Sequence, residues 1–137
     1  MKLTLDLLKK EAKIFCEQES RNNHFELIGI TDGKAVGTYA EHKFQNYLKT
    51  KYIFTVGSSA KGIDLPDPEI NTDIKVTSLK QPQSSCPFRN ANQKIFGLGY
   101  NLLVFVHEKC DGDKVCSLNF KHCTFIESKR TSDFYIN

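Results

Sequence analysis

The chain of 137 residues lacks the long hydrophobic run that a membrane span requires. Its longest uninterrupted apolar run is Leu102 to Val106, whereas a transmembrane helix needs roughly 20 apolar residues. The first residues, MKLTLDLLKKEAK, place Asp6 within the apolar stretch and contain no small-residue cleavage pattern, unlike a signal peptide. These absences favour a cytoplasmic protein with no membrane partner.

The chain also lacks the short motifs of several common enzyme classes. GSSAKGI has two glycines five positions apart, but Ile63 stands where a phosphate-binding loop needs lysine followed by serine or threonine. No serine–histidine–aspartate context is visible, and no histidine can be assigned to Cys86 as the partner of a thiol nucleophile. Nucleotide hydrolysis and serine or cysteine catalysis are therefore disfavoured.

Cysteine is present five times but without a CxxC pair. The group that could hold zinc comprises Cys110, Cys116, His122 and Cys123. If the last two lie in a strand, they point to opposite faces, which disfavours a shared metal. Reduced thiols are the favoured interpretation, and a zinc-stabilised domain is kept as an alternative.

The charge balance permits a polyanionic partner without requiring one. The formal net charge is +3 and the sequence pI is about 8.6. Domains that bind nucleic acid through charge alone usually have a pI above roughly 9. The charge is therefore compatible with DNA as a partner but does not by itself identify the partner.

The apolar pattern predicts an α/β domain spanning residues 1–137 with a mixed sheet. Helices are predicted over 3–18 and from Val36 to Leu48, with Glu41 at the rim of the second apolar stripe and Lys43 inside it. HFELIGI is expected to be a short apolar segment. Strands are predicted over 52–56, 63–64, 73–79, 101–106 and 115–126, with another helix at about 90–96.

The stretch TDIKVTS combines a strand pattern with chemically active polar positions. Asp73 and Lys75 share one face of the predicted strand, while Ile74 and Val76 turn towards the core. A hairpin with the segment Ile63-Asp64 would bring Asp64 and Asp73 together. Two converging carboxylates repel unless a cation neutralises them, and Mg²⁺ is the natural oxygen-binding cation.

This combination suits phosphodiester hydrolysis. A metal polarises the phosphate and activates water, and a lysine orients that water and offsets developing charge. The alternative interpretation is an edge strand that carries a solvated Asp-x-Lys pair. The added presence of Asp64 and Glu41, in this order of elements, favours a site.

The order of elements resembles that of the PD-(D/E)XK nuclease superfamily. A helix that carries a glutamate comes first, the segments GID and DIK follow, and a helix and a buried strand come last. Over roughly residues 27–135 the chain is similar to type II restriction endonucleases of that superfamily. The resemblance implies a restriction-endonuclease-like three-layer core, with a mixed central sheet flanked by helices. It also implies a Mg²⁺-dependent endonuclease that acts on double-stranded DNA.

The resemblance assigns roles to four residues. Asp64 matches the first metal-binding aspartate, Asp73 and Lys75 match the (D/E)XK signature, and Glu41 matches the helix glutamate that often completes the metal shell. No proline precedes Asp64, and two rivals stay open. Asp67, in the literal sequence Pro-Asp, rivals Asp64 but lies between two prolines, and Glu11 rivals Glu41. The Gln-x-x-x-Tyr extension of RecB-like exonucleases is missing, which disfavours an end-processing enzyme.

DNA contact is expected from the glycine loop beside the acidic residues and from the polar run that follows the DIK strand. The residues expected to contact DNA are Ser59, Lys61, Gln81, Gln83, Ser84, Ser85, Arg89 and Gln93.

The ending ESKRTSDFYIN comes earlier than in related enzymes, which raises a second hypothesis: a shortened, catalytically inactive DNA-binding module that retains the fold. Whether two copies pair as a homodimer stays open.

Overall fold

Two amphipathic helices come first in the chain; the computed structural model describes residues 1–57, 62–79 and 99–128. Helix α1 spans Leu5–Ser20 and helix α2 spans Gly33–Lys49. Thr4 and Asp32 cap them, because their side-chain oxygens accept hydrogen bonds from backbone amides of the first turn at 3.2 and 3.0 Å. Both predicted helices are confirmed, with ends shifted by a few residues.

A short 3₁₀ helix, Phe25–Leu27, lies between α1 and α2. It occupies the HFELIGI segment, in which the sequence predicts only a short apolar element. Leu27 is buried, and His24 just before it donates its backbone N–H to the carbonyl of Cys116 at 2.8 Å. The segment therefore ties the helical region to the sheet.

The described strands form one mixed sheet in the order β1-β2-β3. They span Thr72–Ser78, Asn101–Asp111 and Cys116–Ile126. β1 runs parallel to β2, and β3 runs antiparallel to β2. The parallel pair requires a crossover connection, and that connection passes through residues outside the described ranges. The prediction of an α/β fold with a mixed sheet is confirmed.

The core forms where the helices pack on the sheet. Phe15 of α1 and Phe44 of α2 lie 5.0 Å apart between ring centroids, and Phe44 lies 5.1 Å from Phe105 of β2. Ile74 of β1 joins the same buried cluster. Only this helical layer falls within the described residues. The helix predicted at 90–96, which a three-layer core would need, lies outside them.

Two predicted strands are wrong. Residues 52–56 make only an isolated bridge, in which Ile53 pairs with the amino-terminal segment near Lys2. Residues 63–64 are not a strand either; the neighbouring Leu65 forms a single antiparallel bridge with Thr72. Pairing stops there because residues 67–70 form a turn on one side of the bridge, and on the other side the Ile74 amide donates to the Asp64 side chain at 2.9 Å.

Helices α1 and α2 span 16 and 17 residues, and neither offers an apolar stretch able to traverse a bilayer. This statement concerns the described part of the chain. The cytoplasmic location and the single domain over residues 1–137 stay predictions.

Candidate active site

A pocket of about 370 Å³ opens between α2, the start of β1 and the loop that precedes it. The helix presents polar side chains to it, and the strand presents the Asp-x-Lys pair. The residues that line it are Glu41, His42, Gln45, Val56, Gly57, Gly62, Ile63, Asp64, Asp73, Ile74 and Lys75. All four residues predicted to be catalytic are therefore in its wall.

The Leu65–Thr72 bridge brings the two aspartates side by side. Leu65 and Thr72 exchange two backbone hydrogen bonds, each of 3.0 Å. The chain therefore doubles back, and the residues that flank the bridge become neighbours. The Asp64 amide then donates to Asp73 Oδ1 at 3.2 Å, and the Ile74 amide donates to Asp64 Oδ2 at 2.9 Å. The expected hairpin pairing is achieved by one bridge instead of two strands.

The acidic groups oppose one another electrostatically. Burial, a hydrogen bond with Asp64 and the charge of Asp64 raise the pKa of Asp73 to about 6. Burial and a hydrogen bond with Glu41 raise the pKa of Asp64. The positive charge beside these carboxylates therefore does not fully offset burial and the interactions among the acids.

Lys75 is the cation that faces this acidic group. Its Nζ lies 3.1 Å from Asp73 Oδ2, and its side chain is 31% exposed. Burial lowers the pKa of Lys75, but the charge of Asp73, its hydrogen bond to the lysine and the nearby acidic groups together outweigh burial and raise that pKa. Tyr100, at the entry to β2, lies close enough to interact with both groups, and burial raises its pKa. The lysine stays protonated and keeps part of its surface open to the pocket.

The rival Glu11 lies elsewhere. Its Oε1 accepts hydrogen bonds from Tyr47 Oη at 2.6 Å and from Lys51 Nζ at 3.3 Å, and its Oε2 accepts one from Tyr52 Oη. Burial alone would raise the pKa of Glu11, but these donors outweigh it and lower the pKa. Glu11 ties α1 to the end of α2 and is not near the pocket lining.

The rival Asp67 is also separate from the pocket. Its Oδ2 accepts a hydrogen bond from the Thr55 amide at 3.0 Å, and its carbonyl accepts from the amides of Ile70 and Asn71. It therefore stabilises the turn between the bridge residues, and it is Asp64 that lies beside Asp73.

Metal-binding geometry is only partly preformed. Among residues 1–57, 62–79 and 99–128, no three His, Cys, Asp or Glu side chains are arranged as a ready metal site. Asp64 contacts both Asp73 and Glu41, but the three carboxylates do not converge on one closed shell. The carboxylates of Asp64 and Asp73 are hard oxygen ligands, which suit Mg²⁺.

The cysteines considered for zinc are dispersed. Cys110 is exposed, and Cys116 is buried in a small apolar cluster. Cys16 is buried in the main core, and Cys123 packs against that core. Within the described residues the geometry gives no support to a zinc site at these positions.

The expected DNA contacts lie outside the described residues and stay predictions. They are Ser59, Lys61, Gln81, Gln83, Ser84, Ser85, Arg89 and Gln93.

The sequence pattern missed two pocket residues of α2, His42 and Gln45. His42 is exposed, while Gln45 is 8% exposed. The spacing from Glu41 to Gln45 is one helical turn and is a signal that could have revealed Gln45. The prediction of α2 depends on the period of its apolar residues, and a polar residue beside that apolar stripe does not stand out in such a pattern.

Comparison with protein families gives a match over residues 2–137 to a family of type II restriction enzymes. That family is described as "Type II restriction enzyme NspV", and this chain belongs to it. A curated relative, the type II restriction enzyme NspV of Nostoc sp. (strain ATCC 29411 / PCC 7524), is 52% identical over 134 residues. The alignment covers 96% of this chain and 60% of that relative's length. No solved structure matches the chain. The resemblance to type II restriction endonucleases is confirmed.

Proposed function

We propose that the chain is a Mg²⁺-dependent DNA endonuclease of the PD-(D/E)XK type, with Asp64, Asp73, Lys75 and Glu41 as its catalytic group. The observation that supports this most is the aspartate pair with Lys75 in an open pocket. Membership of a restriction enzyme family supports DNA as the substrate. The proposal extends to sequence-specific cleavage of double-stranded DNA.

The donor set fits Mg²⁺ in kind and in number. Mg²⁺ commonly takes one or two carboxylates from a protein and completes its shell with waters and substrate phosphate oxygens. The raised pKa of Asp73 indicates a place where added positive charge is favourable. When bound, the ion would polarise the scissile phosphate and lower the pKa of an attacking water.

The chain's own residues divide the remaining work. Asp64 and Asp73 supply anionic oxygens held by backbone hydrogen bonds, so their orientation does not have to be set when substrate arrives. Lys75 holds a proton on Nζ and presents it beside Asp73, where it offsets charge that grows on the phosphate. Glu41 lies in the pocket wall and contacts Asp64, which suits it to complete the acidic group.

The test is cleavage of supercoiled plasmid DNA with and without Mg²⁺. Wild-type protein should cleave only with the metal, whereas Asp73→Ala and Lys75→Ala should each lose about three orders of magnitude in rate, the effect of several kcal/mol. Discrete fragments indicate sequence-specific cutting, and a smear indicates a nonspecific nuclease.

Asp67→Ala is the matched control, because Asp67 is a nearby aspartate outside the pocket lining. Alanine keeps the backbone carbonyl that closes the turn, so this variant should cleave like the wild type. Cleavage by Asp73→Ala at the wild-type rate would falsify the assignment. Salt-dependent DNA binding without cleavage under any metal would instead support the DNA-binding module.

A further inference from the structure

Gln45 is a buried polar residue in the wall of the acidic pocket. It lies one helical turn after Glu41 on α2, so the two side chains project from the same face of the helix. Only 8% of its surface is exposed. It lines the pocket together with Asp64, Asp73 and Lys75.

The Gln45 amide has no hydrogen-bond partner within the described ranges of the chain. Other buried polar side chains do: Asn101 Nδ2 donates to the Ile70 carbonyl at 2.9 Å, and Thr72 Oγ1 donates to the same carbonyl at 2.7 Å. Gln45 is buried as a residue, but its amide atoms keep some access to solvent, so the donor is open to the pocket. An unpaired amide that faces a pocket is therefore suited to a ligand.

The charges of the pocket indicate which ligand. Three carboxylates line it, and Lys75 is already engaged by Asp73 at 3.1 Å. A phosphodiester carries a negative charge, so it needs donors that the carboxylates have not already captured. A neutral amide meets this need, whereas an arginine or lysine at position 45 would form an ion pair with the neighbouring acids.

We propose that the Gln45 amide donates a hydrogen bond to a non-bridging oxygen of the scissile phosphodiester. This inference rests on the proposed nuclease function and names the group that holds the substrate's reacting phosphate. Gln45 would act directly on substrate, on the side of the pocket formed by α2, opposite the strand that carries Lys75.

The test compares Gln45→Met with wild type on plasmid DNA and on the same plasmid synthesised with phosphorothioate linkages. Methionine keeps the length of the side chain but removes the donor. We expect kcat on ordinary DNA to fall about 100-fold, as when one preorganised donor to a reacting phosphoryl or acyl oxygen is removed. Sulfur accepts hydrogen bonds poorly, so phosphorothioate should slow wild type more than Gln45→Met.

Gln18→Met is the matched control, since Gln18 is an exposed glutamine on α1 and lies outside the pocket. It should match wild type on both substrates. Circular dichroism and thermal unfolding verify that each variant folds. Gln45→Glu, which keeps the side-chain shape while replacing the donor with a negative charge, should lose at least as much activity as Gln45→Met.

Separate outcomes address the inference and the function on which it rests. If wild type cleaves and folded Gln45→Met keeps its kcat, KM and phosphorothioate effect, the inference is overturned and the nuclease function stands. If wild type does not cleave, the proposed function fails, and binding of a short duplex in Ca²⁺, followed by fluorescence anisotropy, decides the inference. Weaker binding by Gln45→Met than by Gln18→Met supports it, and equal binding overturns it.

Discussion

Glu11 and Asp73 are both buried carboxylates, with 5% and 3% of their surfaces exposed, but their surroundings differ. Glu11 receives hydrogen bonds from two tyrosines and a lysine, and despite burial its pKa is lowered. Asp73 is buried against another carboxylate and has one lysine partner, and its pKa is raised to about 6. Burial does not distinguish the two, but the balance of donors does: the first carboxylate stabilises the fold, and the second is left short of positive charge.

The largest effect expected from this contrast is on catalysis by Asp73→Asn. We expect cleavage of plasmid DNA to fall about 1000-fold, since a charged ligand is replaced by a neutral one. The melting temperature should stay the same or rise, because the substitution removes the repulsion with Asp64. A clear drop in melting temperature would show that Asp73 is a stabilising residue like Glu11, and the contrast would fail.

The opposite pattern is expected for Glu11→Gln. The charged acceptor of three hydrogen bonds is lost, which should lower the free energy of unfolding by about 2 kcal/mol. Cleavage per folded molecule should stay unchanged, because Glu11 lies outside the pocket lining. Urea unfolding and plasmid cleavage on the same preparation measure both effects. A stable but inactive Glu11→Gln would restore Glu11 as the rival of Glu41.

The pH dependence of stability should differ in sign for the two residues. In chelator-containing buffer, Asp73 keeps its proton up to a pKa of about 6 in the folded protein but only up to its ordinary pKa of 3.8 in the unfolded chain. The contribution of Asp73 to the free energy of unfolding therefore falls as pH rises through that interval. Glu11 has a lowered folded pKa, so its contribution is complete above its ordinary pKa of 4.5 and is lost on acidification.

Urea unfolding of the wild type and both variants across this pH range measures the two contributions by difference. The stability of wild type relative to Asp73→Asn should decline from pH 4 to above pH 6. Its stability relative to Glu11→Gln should increase with pH at the acidic end. Parallel stability curves for all three proteins would contradict the assigned surroundings.

The helices and the central strand could be predicted because their patterns are local. The stripe from Val36 to Leu48 fixes the buried face of α2, and the apolar run Leu102 to Val106 requires a strand enclosed on both sides. The position of Lys43 within the stripe depends on a distant partner, because its Nζ forms an ion pair with Glu19 of α1 at 2.7 Å. Such pairs between helices have no sequence period.

The site could be predicted in its composition more readily than in its supports. The Asp-x-Lys spacing places two groups on one face of a strand, and pairing across a turn brings Asp64 next to them. The strand predicted at residues 63–64 is wrong, because the Asp64 side chain accepts the Ile74 amide that a second backbone pair would use. The choice between Glu11 and Glu41 depends on which tyrosines surround each carboxylate, and Tyr47 and Tyr52 lie far from Glu11 in sequence.

The decisive experiment is thermal unfolding with and without Mg²⁺ at pH 8. If Asp64 and Asp73 hold the ion, saturating metal should raise the melting temperature of wild type by several degrees, as expected for a ligand that binds only the folded state. Glu11→Gln should show the same increase from a lower starting point, and Asp73→Asn should show none. An equal increase in Asp73→Asn and wild type would mean that the metal does not bind at the aspartate pair.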